Sequence, residues 1–422
     1  MSLGARPLPL ALYGAATGLL EPFAPVLLRR RAGRGKEDPA RLGERLGRPG
    51  RERPTGPLVW LHAVSVGESL SLLPLIAALR ARRPELVLLV TSATRTSAEV
   101  IAGRLPSDVI HQFAPVDTPN AASRFLDHWR PGLAVFSENE LWPNLIFAAQ
   151  RRGVRLALLS ARMREDSAAG WARAPASART LLRAFDLVMP QERESAARLE
   201  ALGARCGPLL NLKLVGEAPP ADEAELSRLR QEVGGRPVVL AASTHSGEEA
   251  LIAEALVERL GPALLVIAPR HPERGAAIQE EMRRAGFACA RRSAGEATGG
   301  GIYLADTLGE LGLFLRLADV VVMGGSLAPG VGGHNPLEAA RLAKPVITGP
   351  HVFNARAVYD ELLAEAAAIE ASDTRALARH VSGLLGNPRI ARRIGEGGLA
   401  YAERQGGALE RALAELEPLL PA

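Results

Sequence analysis

A pattern of apolar strand, small polar loop and acidic helix start occurs twice in this sequence and constrains its fold more than any other feature. It occupies residues 57–68 and returns at residues 237–249. Each copy opens a long series in which strand-like and helix-like segments alternate. Because such alternation is typical of parallel sheets covered by helices on both faces, the sequence predicts an α/β protein. Two series predict two Rossmann-like lobes that face a central cleft.

The length of the chain and a change of composition near its middle set the predicted domain boundaries. At ~150 residues per domain, 422 residues correspond to two or three domains, and two series of strands and helices favour two. Residues 216–236 are polar and contain two consecutive prolines, as expected of a linker. We therefore predict an N-terminal lobe over residues 37–215, a linker over 216–236 and a C-terminal lobe over 237–422.

Residues 1–36 combine an apolar segment with a basic cluster. Leu8 to Leu20 is almost wholly apolar, and residues 23–28 resume this character just before three consecutive arginines that begin at Arg29. A cleavable signal peptide carries its basic residues ahead of the apolar core, so the order here argues against one. A single span, an interfacial hairpin-like anchor and a buried helix of the soluble fold all remain open. We favour a membrane anchor with a cytoplasmic basic flank, since dense positive charge beside apolar surface suits a lipid interface.

The charge and the cysteine content exclude few partners but argue against metal chemistry. The net charge of +5 would permit contact with nucleic acid, yet nearly all the basic residues are arginine in an Ala- and Gly-rich chain. We regard this as a compositional bias and predict no nucleic-acid partner. The two cysteines lack CxxC spacing, and neither an HExxH motif nor a GxxxxGK[ST] loop occurs. The sequence thus predicts no metal and no cofactor.

A glycine-dense loop at residues 324–333 lies between a β-branched apolar run and a predicted helix. Asn335 is a favoured N-cap residue and Pro336 a favoured first helical residue, so we expect the helix to begin there. Backbone N–H groups of the loop and the positive end of the helix dipole would attract an anion such as phosphate. Arg270, at the end of another predicted strand, is placed to clamp a phosphate, and Glu338 is placed to accept hydrogen bonds from ribose hydroxyls.

Three carboxylates follow predicted strands of the first lobe, where sites of parallel sheets usually lie. Glu68 follows the first strand, and Glu138 and Glu140 follow a later one. A carboxylate within reach of a hydroxyl can take its proton when burial raises the carboxylate's pKa. The alternatives are a helix cap for Glu68 and a solvated surface for Glu140. The second lobe adds loop histidines that suit nucleotide contacts better than metal binding, because no carboxylate cluster accompanies them: His245, His271, His334 and His351.

Ordered motifs along nearly the whole chain resemble those of the 3-deoxy-D-manno-octulosonic acid (Kdo) transferases of lipopolysaccharide synthesis. These motifs lie at residues 62–68, 138–144, 211–213, 243–249, 269–274 and 332–338. The resemblance implies the two-lobed GT-B glycosyltransferase architecture. It also implies transfer of Kdo from CMP-Kdo to the lipid A precursor, lipid IVA, with inversion at the anomeric carbon and no metal. The implied location is the cytoplasmic face of the inner membrane, with membrane lipid as a further partner.

The resemblance also assigns roles to individual residues of this chain. Glu68 matches the general base of the family, while Glu138 and Lys213 match groups that stabilise the transition state. The matched CMP pocket consists of Pro269, Arg270, Leu308, Gly309, Glu310, Asn335, Pro336, Leu337 and Glu338. Two alternatives remain: a GT-B enzyme that uses another nucleotide sugar on a lipid acceptor, and a non-catalytic membrane protein that binds lipid A.

Overall fold

The computed structural model describes residues 6–299 and 301–422, so the first five residues of the predicted segment 1–36 lie outside the described residues. It divides into two compact units. The first contains the chain up to Gly216 together with Gln405–Ala422, and the second is Glu217–Arg404. Both units contain a parallel sheet with helices on its faces, as the alternating pattern predicts.

The first unit is built on a six-stranded parallel sheet in the order β3-β2-β1-β4-β5-β6. Its strands are β1 Leu58–His62, β2 Val87–Ser92, β3 Ile110–Phe113, β4 Leu133–Ser137, β5 Arg155–Ala161 and β6 Leu187–Pro190. Its helices are Leu8–Leu20, Ala24–Ala32, Leu42–Arg45, Val66–Ser71, Leu73–Arg82, Arg95–Ala102, Pro119–Trp129, Pro143–Arg151, Glu165–Ala172, Pro175–Leu182 and Arg193–Ala201. On one face of the sheet, Trp60 packs its ring 4.8 Å from that of Phe125 and 5.2 Å from that of Phe136. The strand order β3-β2-β1-β4-β5-β6 is that of a Rossmann sheet.

The second unit is built on a seven-stranded parallel sheet in which β7 is central and all pairs are parallel. Its strands are β7 Val238–Thr244, β8 Leu264–Pro269, β9 Cys289–Arg291, β10 Ile302–Leu304, β11 Val320–Met323, β12 Val346–Thr348 and β13 Ile369–Glu370. The order is β13-β12-β11-β7-β8-β10-β9. Its helices are Glu223–Val233, Glu248–Leu256, Gly275–Arg284, Leu311–Leu317, Leu337–Ala340, Arg356–Ala364 and Thr374–Gly386. Helix Pro388–Leu416 begins in this unit and continues past its last residue, Arg404.

The described structure places two segments differently from the predicted domain boundaries. The predicted linker 216–236 contains helix Glu223–Val233, whose buried Leu226 and Leu229 belong to the second unit. An apolar spacing of three residues lets this helix bury one side. The predicted C-terminal lobe 237–422 includes residues that pack elsewhere, because Gln405–Ala422 belongs to the first unit.

This return of the chain to the first unit has a simple physical cause. Ala408, Ala412, Leu413 and Leu416 recur at helical spacing and form one apolar stripe, which is buried. The stripe packs in the same apolar cluster as Leu61 and its neighbours beneath the first sheet. Burial of this stripe therefore completes the core of the first unit.

The two N-terminal helices dock on the first unit through one side only. Leu10 is buried, the Tyr13 hydroxyl donates to Asp117 at 2.9 Å, and Asn144 donates to the Thr17 hydroxyl at 2.9 Å. Residues on the opposite side are exposed: Leu8, Leu12, Leu19, Leu20, Phe23, Val26 and Leu27, which we call the exposed N-terminal face. Leu8–Ala32 is long and apolar enough to cross a membrane, by length and composition alone. Only 17% of its most apolar 18 residues are buried within the protein.

Candidate active site

The carboxyl ends of β1 and β4 lie side by side in the first sheet. From β1 the chain builds the sheet outwards to β2 and β3, then returns to place β4 on the other side of β1. Ligands of open parallel sheets bind at such a reversal of strand order. Glu68 follows β1, and Glu138 and Glu140 follow β4, so all three predicted carboxylates flank this point.

Glu68 caps the start of its own helix. The Ser65 hydroxyl accepts a hydrogen bond from the Glu68 N–H at 3.3 Å, as the N-cap residue of helix Val66–Ser71. In return, one Glu68 carboxylate oxygen accepts from the Val64 N–H at 2.9 Å and the other accepts from the Ser65 hydroxyl at 2.6 Å. This reciprocal arrangement is close to a capping box and holds the buried carboxylate still. Capping leaves the carboxylate chemically usable, since each oxygen has a second lone pair.

Glu138 adopts a backbone conformation that is uncommon for a residue with a side chain. Its φ of 60° lies in the left-handed region, and strain of this kind often accompanies a functional position. The Lys213 ammonium forms an ion pair with the Glu138 carboxylate. A Cβ added to Gly67 would lie 4.0 Å from Lys213 Cε, so the lysine stem passes beside the turn that carries Glu68. The structure thus brings Glu68, Glu138 and Lys213 together.

Glu140 is half-buried, in contrast to the solvated position that the sequence left open. The pKa of Glu140 is raised to about 7, chiefly by burial and to a smaller extent by the nearby charges of Glu68 and Glu138. The Trp142 indole N–H donates to the Glu140 carboxylate and opposes this rise. Glu140 therefore changes charge near neutral pH, a property that sequence reasoning missed because it depends on burial.

The predicted nucleotide residues of the second unit lie at the carboxyl ends of β8, β10 and β11. Pro269 ends β8 and Arg270 follows it, while residues 308–310 follow β10 and residues 335–338 follow β11. In the sheet these strands surround the end of β7, in the order β11-β7-β8-β10. The reversal of strand order falls between β7 and β11, so all three predicted groups lie around the expected ligand position of this sheet.

The glycine loop differs from the predicted anion site, because a carboxylate of the protein itself already binds some of the loop's backbone N–H groups. Glu248 accepts hydrogen bonds from the N–H groups of Gly325 at 2.6 Å and Leu327 at 2.9 Å. The helix predicted to start at Asn335 and Pro336 comprises only Leu337–Ala340, and the Asn335 side chain accepts from the Leu337 N–H at 3.0 Å. A single turn has a small dipole. The N–H groups of Gly325 and Leu327 are engaged within the protein and are not available to an anion.

The segment after β10 presents one exposed apolar residue beside a fixed carboxylate. Leu308 is 86% exposed, and the following Gly309 has a φ of 84°, a conformation that glycine adopts without strain. Arg292 binds the Glu310 carboxylate through two hydrogen bonds of 2.7 and 2.6 Å and lowers its pKa. In contrast, burial raises the pKa of Glu338. The pKa values of the two predicted pocket carboxylates are therefore shifted in opposite directions, down for Glu310 and up for Glu338.

Within the described ranges 6–299 and 301–422, no group of three or more His, Cys, Asp or Glu side chains is arranged to hold a metal ion. Cys206 and Cys289 are both free thiols, and burial raises the pKa of each to about 11. Neither thiol is thus poised to act as a thiolate nucleophile.

Comparison with known proteins decides the family of this chain. The family model described as 3-deoxy-D-manno-octulosonic-acid transferase (kdotransferase) matches residues 40–216. A probable mitochondrial 3-deoxy-D-manno-octulosonic acid transferase of Arabidopsis thaliana is 38% identical over 356 residues, covering 81% of this chain and 79% of the relative. The chain belongs to the Kdo transferase family. The 3-deoxy-D-manno-octulosonic acid transferase of Bordetella pertussis is 36% identical over 89% of this chain and 91% of its own length.

Membership of the Kdo transferase family makes the chain a glycosyltransferase and confirms the resemblance found in the motifs. A glycosyltransferase structure from Rickettsia africae superimposes with a TM-score of 0.58 at 11% identity, covering 87% of this chain and 99% of that one. Likeness at this identity shows the fold alone. Together with the two Rossmann-like parallel sheets, it confirms the predicted GT-B fold.

Proposed function

We propose that this Kdo transferase family member moves Kdo from CMP-Kdo to the lipid A precursor, lipid IVA, with inversion at the anomeric carbon. The observation that carries the proposal is the convergence of Glu68, Glu138 and Lys213 at the point where strand order reverses in the first sheet. Family membership supplies the class of reaction. The residue assignments and the acceptor are part of the proposal.

In the proposed reaction, an acceptor hydroxyl attacks the anomeric carbon of Kdo while Glu68 accepts the hydroxyl proton. The new carbon–oxygen bond forms as the bond to the CMP phosphate breaks, and CMP leaves with that electron pair. Attack opposite the leaving group inverts the anomeric centre. Lys213 and Glu138 are assigned to the charges that develop in the transition state, which is where fixed charges accelerate a reaction most. The hydrogen bond from the Ser65 hydroxyl supports the role of Glu68 as the base, since it keeps the Glu68 carboxylate in one position.

The proposed donor pocket is the set of residues at the carboxyl ends of β8, β10 and β11. Arg270 is exposed at the end of β8 and is assigned to the phosphate, because a guanidinium can bind two phosphate oxygens at once. Leu308 is assigned to apolar contact with the nucleotide. Glu338 is assigned to the ribose hydroxyls, since a carboxylate oxygen accepts hydrogen bonds from hydroxyls. The pocket as proposed also includes Pro269, Gly309, Glu310, Asn335, Pro336 and Leu337.

The exposed N-terminal face is assigned to the cytoplasmic surface of the inner membrane, where a lipid acceptor resides. Its apolar side chains are followed directly by the arginines that begin at Arg29, in the last turn of helix Ala24–Ala32. Apolar groups favour the acyl region, and basic groups favour anionic headgroups. The opposite side of the helices is held by Asp117 and Asn144, which favours a segment that lies on the membrane.

Purified protein incubated with CMP-Kdo and lipid IVA tests the proposed function. We expect a product whose mass is that of lipid IVA plus Kdo, with release of CMP. Thermal unfolding provides a second readout, since a ligand that binds only the folded state raises the melting temperature. CMP should stabilise the protein and UDP should not. Stabilisation by UDP alone would indicate another nucleotide-sugar donor, and lipid binding without nucleotide binding would indicate a non-catalytic lipid-binding protein.

A further inference from the structure

Two histidines of the second unit contact each other at the reversal of strand order between β7 and β11. His245 directly follows β7, and His334 directly follows the glycine loop after β11. Their Nε2 atoms lie 2.8 Å apart, and their rings are nearly parallel, with an angle of 12° between planes. One nitrogen must donate a proton to the other at this distance, so the hydrogen bond requires at least one neutral imidazole. The proposed donor pocket includes neither histidine.

The charged groups around this histidine pair lie on two further elements. His271 and Arg270 lie in the loop after β8, and the ring of His271 is 5.8 Å from that of His245. Glu248 and Glu249 lie at the start of helix Glu248–Leu256. These are the groups that act on the pair, together with the mutual effect of the two rings.

Both carboxylates near the histidine pair are already bound within the protein. Glu248 accepts hydrogen bonds from the glycine loop and from the backbone N–H of His245 at 2.9 Å. Glu249 is buried and pairs with Arg274 at 3.0 Å and with the Thr244 hydroxyl at 3.0 Å. Arg270, in contrast, is exposed beside the pair. The surroundings thus supply the positive charge of Arg270 to an incoming ligand, while Glu249 is neutralised by Arg274 and both Glu248 oxygens are occupied by backbone N–H groups.

Burial sets the charge of the pair in the unliganded protein. It lowers the pKa of His334 to about 4 and also lowers that of His245, and the positive charge of Arg270 acts in the same direction. Both rings are therefore neutral at pH 7. An anion in contact with the pair would reverse this effect, since an opposite charge nearby favours the protonated form of an imidazole.

We propose that the His245–His334 pair, together with Arg270, binds an anionic group of the donor and takes up one proton from solvent as it does so. This inference rests on the proposed function, because it takes a CMP-linked sugar acid as the donor. Such a donor carries two anionic groups that the pair could meet, a phosphate and a sugar carboxylate. Both offer the oxygen acceptors that an imidazolium N–H binds.

Proton uptake makes donor binding depend on pH in a definite direction. The pKa of the pair is higher in the complex than in the free protein, so lower pH favours binding. Where uptake reaches one proton, affinity changes by about tenfold for each pH unit. The phosphate of CMP itself titrates near pH ~6, so the effect is measured above pH 7.

Isothermal titration of the full-length protein with CMP at pH 7.4, in two buffers of different ionisation enthalpy, measures the protons taken up. We expect uptake that approaches one proton, and affinity that weakens by about tenfold or more between pH 7 and 8.5. His334→Gln should abolish uptake and weaken CMP binding about tenfold or more. His380→Gln, a change on helix Thr374–Gly386 of the same unit, should retain both properties. Thermal unfolding verifies that each variant is folded, and the wild-type uptake decides the question if a variant is not.

Three ligands separate the two anionic groups. Cytidine, which carries no phosphate, should bind without proton uptake. Uptake with CMP assigns the phosphate to the pair, whereas uptake only when free Kdo is added to the CMP complex assigns the carboxylate. CMP binding with no uptake in either arm overturns the proposal while leaving the donor pocket intact. Absence of CMP binding to the wild type overturns the donor assignment itself, and this proposal with it.

Discussion

Lys213 and Glu138 form an ion pair that joins the short 3-10 turn Leu212–Leu214, which follows helix Arg193–Ala201, to the carboxyl end of β4. The Glu138 side chain is only 10% exposed, whereas that of Lys213 is 39% exposed. Loss of one partner would leave a charge in a largely buried position, which costs more than the loss of a surface ion pair. The pair therefore links the geometry of the candidate site to the stability of the first unit.

Lys213→Met should lower turnover by about 10²-fold, because it removes the positive charge while keeping most of the apolar stem. The stranded Glu138 carboxylate should also lower the free energy of unfolding by about 1–3 kcal/mol at neutral pH. Initial rates and chemical denaturation measure the two effects. The double variant Lys213→Met with Glu138→Gln should regain stability without regaining activity. Turnover within a few-fold of wild type in the single variant would remove Lys213 from the chemistry.

Glu68→Gln should slow turnover by ~10²–10⁴ while leaving CMP affinity unchanged, since the amide cannot accept a proton. Its oxygen still accepts from the Val64 N–H, so unfolding should change by no more than about 1 kcal/mol. Single-turnover kinetics with a CMP titration provide the measurement. Ser65→Ala is the matched control, because it weakens the cap and keeps the carboxylate. Turnover of Glu68→Gln within a few-fold of wild type would mean that Glu68 acts only as a cap, and Glu138 or Glu140 would become the candidate base.

Glu140→Gln should stabilise the protein at pH 8 and have little effect near pH 4.5. The raised pKa of about 7 means that the folded state holds this proton after the unfolded state has released it. Stability from the protonated form is complete below the unfolded pKa and is lost as pH rises to 7. The variant should therefore gain roughly 1–3 kcal/mol relative to wild type across that range and level off above it. Denaturation at several pH values measures the gain. Glu52 is exposed, so Glu52→Gln serves as a control in which the stability difference from wild type should not vary with pH in this way.

Replacement of Leu12, Leu19, Phe23 and Leu27 by glutamine should release the protein from membranes. These side chains are exposed, and each would lose roughly 1.5–3 kcal/mol of apolar burial in lipid. Cosedimentation with vesicles containing anionic lipid should fall by more than tenfold, with the melting temperature unchanged. Leu10→Gln is the matched control, since this buried leucine should affect stability and leave membrane binding intact. Persistent binding of the quadruple variant in high salt would show that another surface holds the membrane.

Arg270→Ala should weaken CMP binding by about 2–4 kcal/mol, as expected for loss of a cation that binds phosphate. The exposed side chain makes a large loss of stability unexpected. Calorimetry gives the affinity, and Arg284→Ala provides a control on a surface arginine of the same unit. Equal affinities for CMP in the two variants would place the phosphate away from Arg270.

The sequence predicted the features that depend on local pattern and on strand order. Apolar runs between polar loops located the strands, and the rule that sites lie at carboxyl ends placed Glu68 and Glu138 at the same edge of the first sheet. The presence of a helix shortly after the glycine loop was also readable. The length of the helix that follows was not, because its end depends on how the next residues pack.

The remaining features of the site depend on contacts between distant parts of the chain. Glu248 lies 77 residues before Gly325, whose N–H it accepts, and no sequence period connects the two. The charge of Glu140 depends on burial, and the pairing of His245 with His334 depends on the adjacency of β7 and β11. Each of these requires the tertiary structure.

The return of residues Gln405–Ala422 to the first unit has a consequence for synthesis on the ribosome. The second unit, residues 217–404, is translated before the apolar stripe that includes Ala412 and Leu416 emerges. At about 5–20 residues per second, that interval is on the order of 10–40 s. During this time, the nascent first unit exposes the apolar surface that the stripe later covers. A chain cut short at Gly216 would keep that surface uncovered permanently, so a soluble fragment of this unit requires its C-terminal segment supplied in trans or by circular permutation.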